Sequence, residues 1–392
     1  MAESGHSQWR DYISRLSEAD AVLPLLPDTS DEDGRQEAFR MLFQNLSGGY
    51  FSAFSDPDRP DFVPCVNNIF NAVGANPDFI YGYTKIDGAG SYRISGYRGT
   101  GLFILLDITA GGLGVMDTPG PSVGTLDIDT LRIKPDGAFD VLLSNERPTD
   151  YDGDWFYLDP SAKTILMRQA AYDWGGAIDA RIAIDRIDIF SAPRRLDANA
   201  IAERLDRLAS YPQALGSFAI EHIKGLRDRG AINQLEFDNW AGRGGVTGQY
   251  YYQGLIQIQP GEALILETEL PDEVRYWNVQ LSDPLWNAID WMNHQSSLNG
   301  GQAQIDGDGR FRAVVAQEDP GVPNWLDPAG HQETGMMIRW NEASSGPTPS
   351  LRVVPLAEVR THLPSDTPVV TVEKRQTMLR QRRRSVQMRR RW

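Results

Sequence analysis

The spacing of apolar and polar positions divides the chain into two β-rich stretches with helical stretches before, between and after them. Residues 1–75 read mainly as helix. There "EAFRMLFQNLSGGYFSAF" puts Phe39, Leu42, Phe43 and Leu46 on one helical face and predicts a break at Gly48-Gly49. Residues 76–195 read as a first β-sandwich, with alternating strands in "FIYGYTKIDGAGSYRISGYRGTGLFILLDIT" and a hairpin turned by Lys134-Pro135-Asp136-Gly137. The period then changes. Residues 196–245 read as a helical connector, capped near Asp197, in which "LDANAIAERLDRLASY" and "PQALGSFAIEHIKGLRDRG" predict two successive helices ending at Gly230. Strands resume over 246–345, the expected second sandwich. Residues 346–392 hold a linker, "SSGPTPS", and a basic C-terminal helix.

The two β-rich stretches echo each other. Ile133 answers Ile305, Asp136-Gly137 answers Asp308-Gly309, and Phe139 answers Phe311. Trp155 answers Trp325, and Arg168 answers Arg339. Both also contain an aromatic strand, "SYRISG" and "RYWNVQ", and these pair in the same reading. An ordered series of matches predicts two sandwiches of one kind, so the fold class expected is mainly β: two tandem jelly-roll-like β-sandwiches with accessory helices.

Charge is segregated. The formal net charge is −15, but nine of the 38 basic residues fall between Lys374 and Trp392 with no acid among them, leaving 29 basic against 53 acidic groups elsewhere. An acidic body repels nucleic acid and anionic membrane, so the basic helix is expected to lie on that body, and nucleic acid is not an expected partner. The single cysteine, Cys65, and the absence of an apolar leader in "MAESGHSQWRDYISRLSEAD" point to a cytoplasmic protein with no membrane association.

Several motifs carry a resemblance. "ANPDFIYGYTKIDGAGSYRISGYRG", "ILMRQAAYDW", "RYWNVQLSDPLWNAIDWMNHQSSLNGGQA", "DPGVPNWLDPAGH" and "VVPLAEVRTHLPSDTPVVTVEKRQTMLRQRRRSVQMRRRW" together resemble the bacterial domain of unknown function 1214 family, related to the domain of unknown function 1254 family. The likeness runs from about residue 35 onward. It implies two jelly-roll-like sandwiches with added helices and a basic terminal helix belonging to the fold. It supplies no reaction and no catalytic residue.

Candidate chemistry concentrates in residues 276–302, which hold three of the ten tryptophans and one of five histidines. In "YWNVQLSD", Tyr276, Asn278 and Gln280 share one strand face and Trp277, Val279 and Leu281 the other. The first face suits a polar lining or a hydrogen-bonded layer between sheets. Asp290 and His294 stand four apart, so on a helical turn the carboxylate would orient the imidazole as a general base; bracing of a long loop would use the same residues. The candidate catalytic residues are therefore Asp290 and His294, and the candidate ligand-binding residues Asn278, Trp286, Trp291, His331 and Arg339. No histidine pair has metal-ligand spacing, so no metal and no cofactor is expected. No serine sits in a nucleophile elbow, and the Gly-rich "AGRGGVTGQYYYQG" lacks phosphate-loop spacing. The expected activity is binding of a small apolar or polycyclic ligand, with its transformation in a catabolic or biosynthetic pathway as the extension of that reading. The alternatives are a carbohydrate-binding or carbohydrate-processing sandwich and a non-enzymatic assembly protein that self-associates.

Overall fold

The computed structural model describes residues 9–112, 120–190, 195–240, 245–246 and 248–389. Most of the Gly-rich "AGRGG" and the residues from Arg390 onward lie outside that set. The chain builds two β-sandwiches in tandem. The first contains β1 (Val63–Pro64), β2 (Phe79–Lys85), β3 (Tyr92–Tyr97), β4 (Phe103–Thr109), β5 (Ser122–Asp127), β6 (Ala138–Ser144), β7 (Asp154–Tyr157), β8 (Thr164–Ala170) and β9 (Arg181–Arg186). The second contains β10 (Glu236–Asp238), β11 (Gln249–Gln257), β12 (Glu262–Thr268), β13 (Val274–Ser282), β14 (Ser297–Asn299), β15 (Phe311–Ala316), β16 (Trp325–Leu326), β17 (Glu333–Ala343) and β18 (Ser350–Pro355).

Strand order is the same in both. A five-stranded sheet, β1-β2-β8-β4-β5, packs on a four-stranded sheet, β7-β6-β3-β9; the second sandwich repeats this as β10-β11-β17-β13-β14 on β16-β15-β12-β18. Each strand of the second takes the place of the strand nine earlier. A parallel strand pairing in each also coincides: Trp155 of β7 lies opposite Leu142 and Trp325 of β16 opposite Val314, each partner being three residues past the hairpin phenylalanine. Gly137 and Gly309, with φ of +83° and +80°, turn the matching Asp-Gly hairpins. The two aromatic strands do not match in this way. "SYRISG" is β3, whose counterpart is β12, whereas "RYWNVQ" lies on β13, the counterpart of β4. Their shared aromatic content reflects burial in a sheet rather than equivalent position.

Each sandwich closes over its own core, Ile94, Leu106, Val141 and Ile165 in the first and Leu264, Val279, Val315 and Ile338 in the second. The two five-stranded sheets turn their other faces toward each other. They are therefore buried on both sides, which is why β4 is buried at every position and reads as a continuous run rather than an alternation.

Helices fill the edges of this inter-sandwich layer: α1 (Trp9–Leu16), α2 (Glu32–Phe54), α3 (Ala198–Asp228) and α4 (Val372–Met388). α2 does not break at Gly48-Gly49. A Cβ on Gly49 would come within 2.7 Å of the Tyr211 ring and one on Gly48 within 2.2 Å of Phe70, so these glycines admit neighbouring rings rather than end the helix. The buried face is also rotated from the expected one, for Ala38, Met41 and Asn45 are inside while Phe39 and Phe43 are exposed. α3 is one helix, not two. Pro212 sits within it, buried among Tyr211, Leu215 and Gly216, and the packing of this face carries the helix through a residue that lacks an N–H. The second sandwich extends past 345, because β18 pairs with β12 beyond the "SSGPTPS" connection.

α4 lies across the body as its charge predicts, but through burial as much as attraction. Arg375 pairs with Asp319 and bonds Gln295 and the Val322 carbonyl in the second sandwich, and Arg389 pairs with Asp179 (2.8 Å) and reaches the carbonyls of Asp78 and Gln169 in the first. Between them Arg382 stacks 4.5 Å over Trp174. Among the described residues no helix is long and apolar enough to cross a membrane.

Candidate functional site

Alternation along β8 and β17 builds the site. Ile165 and Met167 fill the first sandwich core and Ile338 the second, so Thr164, Leu166 and Arg168 on β8, and Met337 and Arg339 on β17, point into the layer between the sandwiches. There they face a cavity of about 210 Å³. Phe51 of α2, Leu215 and Phe218 of α3, Val66, Phe70, Trp240 and Trp286 complete a wall that is largely apolar.

Trp286 is aimed into this wall by a local network. The buried Asp283 carboxylate accepts from the backbone N–H of Leu285 (2.9 Å) and of Asn287 (2.8 Å) and from Asn287 Nδ2 (2.9 Å). Trp286 is thereby held at φ +62°, the left-handed region that a tryptophan rarely enters. Its carbonyl accepts from Gly74 N–H at 2.7 Å, and its ring lies 5.2 Å from that of Trp240 and 4.0 Å from the imidazole of His222.

The polar groups of the cavity come in two matched sets. Arg168 is paired in register with Tyr81 of β2, and Arg339 with Tyr251 of β11. Each guanidinium lies 5.9 Å from the centre of its tyrosine ring. Tyr81 Oη accepts from the backbone N–H of Asn76 (3.0 Å) and Tyr251 Oη from that of Val246 (2.8 Å), in both cases the residue five earlier. Burial raises both phenols, and both guanidinium charges act against that rise on each of them, so the four groups form one electrostatic cluster. Cys65 lines the same space, and burial pushes its thiol up to about 12.

The sets differ on the strand beside each arginine, where Leu105 and Asp107 stand in one and Asn278 and Gln280 in the other. Asp107 of β4 is the ion-pair partner of Arg168, with Thr125 Oγ1 donating to its second oxygen at 2.9 Å. The corresponding residue of β13 is Gln280. Arg339 therefore donates to neutral acceptors, Gln280 Oε1 (2.6 Å), Asn278 Oδ1 (3.2 Å) and the Gly74 carbonyl (3.0 Å).

Behind Arg339 a buried network continues. Asn278 Nδ2 donates to Asn76 Oδ1 (3.1 Å), Asn76 Nδ2 to Tyr276 Oη (2.7 Å), and Tyr276 Oη to Asp78 Oδ2 (2.6 Å). Trp174 Nε1 and Asn299 Nδ2 also donate to Asp78. Burial raises the Asp78 carboxyl despite these donors. The polar face of β13 is thus a hydrogen-bonded layer between the sheets.

No family model matches this sequence, and no curated protein matches it. The chain is similar to an uncharacterised protein of known structure from Burkholderia cenocepacia, with 28% identity, 89% of this chain and 97% of that chain covered, and a TM-score of 0.83. A protein from Vibrio parahaemolyticus shares 13% identity over 80% of this chain and 98% of its own, with a TM-score of 0.44. The first likeness agrees with the tandem β-sandwich architecture.

Of the residues singled out from sequence, Trp286 and Arg339 line the cavity, and Asn278 is bonded to Arg339 directly behind it. The others stand elsewhere. Trp291 is fully buried beside Trp174 and Val386 under α4. The Asp290 carboxylate acts on the His294 ring through its charge and not through a hydrogen bond; it accepts from Met292 N–H (3.0 Å) and Asn293 Nδ2 (2.6 Å) and so braces the turn. His294 Nδ1 meets Asp327 instead, at 2.7 Å, with its side chain 39% exposed. His331 is half-buried in the connection before β17, where its carbonyl accepts from Gln317. Among the described residues no group of three His, Cys, Asp or Glu side chains is placed to hold a metal. Sequence reasoning passed over Tyr81, Asp107, Gln249 and Tyr251. The repeat pointed toward them, since Arg168 and Arg339 matched, but their cross-strand partners are visible only in the register.

Proposed function

We propose that the protein binds a small apolar molecule in the cavity between its two sandwiches. The observation that carries this is the cavity itself: an aromatic and aliphatic wall with a few convergent polar groups, set between two rigid sheets. Size restricts the ligand. A cavity of roughly 150 Å³ takes a benzene, so about 210 Å³ suits one ring with a short substituent, or a short aliphatic chain, better than a fused-ring body. The carbohydrate reading has less support, because most described tryptophans are buried and, of the rest, only Trp9 is exposed while Trp155 is half-buried. We also infer that the two sandwiches descend from one ancestral sandwich, on their common strand order and the paired Tyr–Arg sets, and that the protein works in the cytoplasm. Membership of the domain of unknown function 1214 family is proposed on the motifs quoted above.

Filling the cavity tests the binding proposal. Leu166→Trp places an indole in the space a ligand would occupy. Toluene, phenol and short aliphatic alcohols, screened by thermal shift, should stabilise the wild-type chain and leave the folded variant unchanged. Equal stabilisation of both would show binding elsewhere and reject the cavity.

A further inference from the structure

We infer that the ligand is an organic monoanion, an apolar body bearing one carboxylate, and that Arg339, Gln249 and Tyr251 hold its charged end. This rests on the proposal that the cavity is a binding site, and deepens it.

The reasoning begins from charge. Arg168 and Arg339 occupy equivalent places, yet only Arg168 has a carboxylate beside it. Among the described residues no acid pairs with Arg339, which is 6% exposed. Asp78 lies on the far side of Asn278, Asn76 and Tyr276, where it interacts with the Arg382 charge. A buried cation without a counter-ion is costly. A guanidinium has about five N–H donors, and Arg339 uses three of them on neutral groups.

A second, independent observation is the amide of Gln249. This side chain lines the cavity, is 8% exposed, and has no partner for either Oε1 or Nε2. It stands one alternation before Tyr251 on β11, on the same face. Asn341, opposite it on β17, is fully buried and equally unpartnered at both amide atoms. Buried amides are seldom left unpaired. Tyr251 adds a hydroxyl that already accepts from Val246, so its proton remains to donate.

A carboxylate answers the donors that face the cavity. Its two oxygens accept from the guanidinium, from Gln249 Nε2 and from the phenol, and its single charge equals the single uncompensated one. A phosphate dianion would leave excess charge in an apolar space, and a cation would meet Arg339 with like sign. The Asp107–Arg168 pair carries no net charge, so the acid's charge is drawn to Arg339.

Matched pairs of probes decide the matter. We would titrate the full chain by calorimetry at pH 7 with phenylacetate, 3-phenylpropanoate and hexanoate, each against its primary amide. At least one acid should bind about ten- to a hundredfold tighter than its amide, the range for a hydrogen bond to a charged group. Arg339→Gln should bring each pair within about threefold by weakening the acid alone. Tyr251→Phe, which keeps the ring, should weaken the acid several-fold and spare the amide. If Arg339→Gln does not fold, the wild-type comparison and Tyr251→Phe carry the test. Acids no better than amides, or neutral probes such as toluene binding while acids do not, would reject the carboxylate and leave the cavity proposal standing. No binding by any acid, amide or neutral probe would reject both.

Discussion

Two residues of one kind meet different demands in this molecule. Arg168 and Arg339 hold the same place in successive sandwiches, but an aspartate neutralises one and a glutamine merely orients the other. His294 illustrates the opposite case, a conspicuous residue with a local duty. Its hydrogen bond to Asp327, outweighing partial burial, raises its pKa above the ordinary value near 6.5. A raised histidine contributes stability that is fully present below its unfolded pKa and is lost as pH rises through the folded one. The ring is more than a third exposed, so screening keeps the contribution small. Wild-type protein should thus lose roughly 1–2 °C of melting temperature relative to Asp327→Asn as pH rises from about 6 to 8. Scanning calorimetry across that range checks it, and parallel profiles would sever the link between this pair and stability. Scarcity drew attention to His294 in the sequence. Gln249 and Tyr251 were hidden because nothing in a linear string marks which amide lacks a partner or which phenol lies under an arginine.

At the scale of elements, periodicity was readable wherever one face is wet and ambiguous wherever both are dry. The hairpins at Gly137 and Gly309 follow from turn chemistry. The face of β13 bearing Tyr276, Asn278 and Gln280 could be drawn as polar because its residues alternate with Trp277, Val279 and Leu281. α2 and α3 were misjudged at Gly48-Gly49 and at Pro212 for one reason: helix-breaking residues are tolerated where a neighbour needs the room or burial outweighs the lost bond. Gly49 supplies the test. It lies buried against the Tyr211 ring, which packs on the cavity side of α3. Alanine there should gain helix propensity and still destabilise the protein by about 1–3 kcal/mol through overpacking, measured by urea denaturation. A more stable Gly49→Ala protein would mean that propensity governs this position.

For the whole molecule, the common plan of the two sandwiches was legible because the hairpin turns and the tryptophans that follow them recur in order, whereas the cavity was not, since it belongs to neither sandwich. It arises where the two five-stranded sheets meet, and α4 braces that meeting. Removing residues 372–392 should lower the melting temperature by several degrees. The loss should persist in 0.5 M salt, because Arg375 and Arg389 act from buried positions where screening is weak. A loss that vanished in salt would mean that surface attraction alone holds the helix. The same helix sets a sequence of events during synthesis. Asp78 emerges from the ribosome early, but its hydrogen-bond partners Tyr276 and Asn299 follow some two hundred residues later and Arg389 later still. A nascent first sandwich must therefore wait with this carboxylate and the flank of β2 uncovered, and a chaperone that shields that flank would find its target only in the interval before α4 arrives.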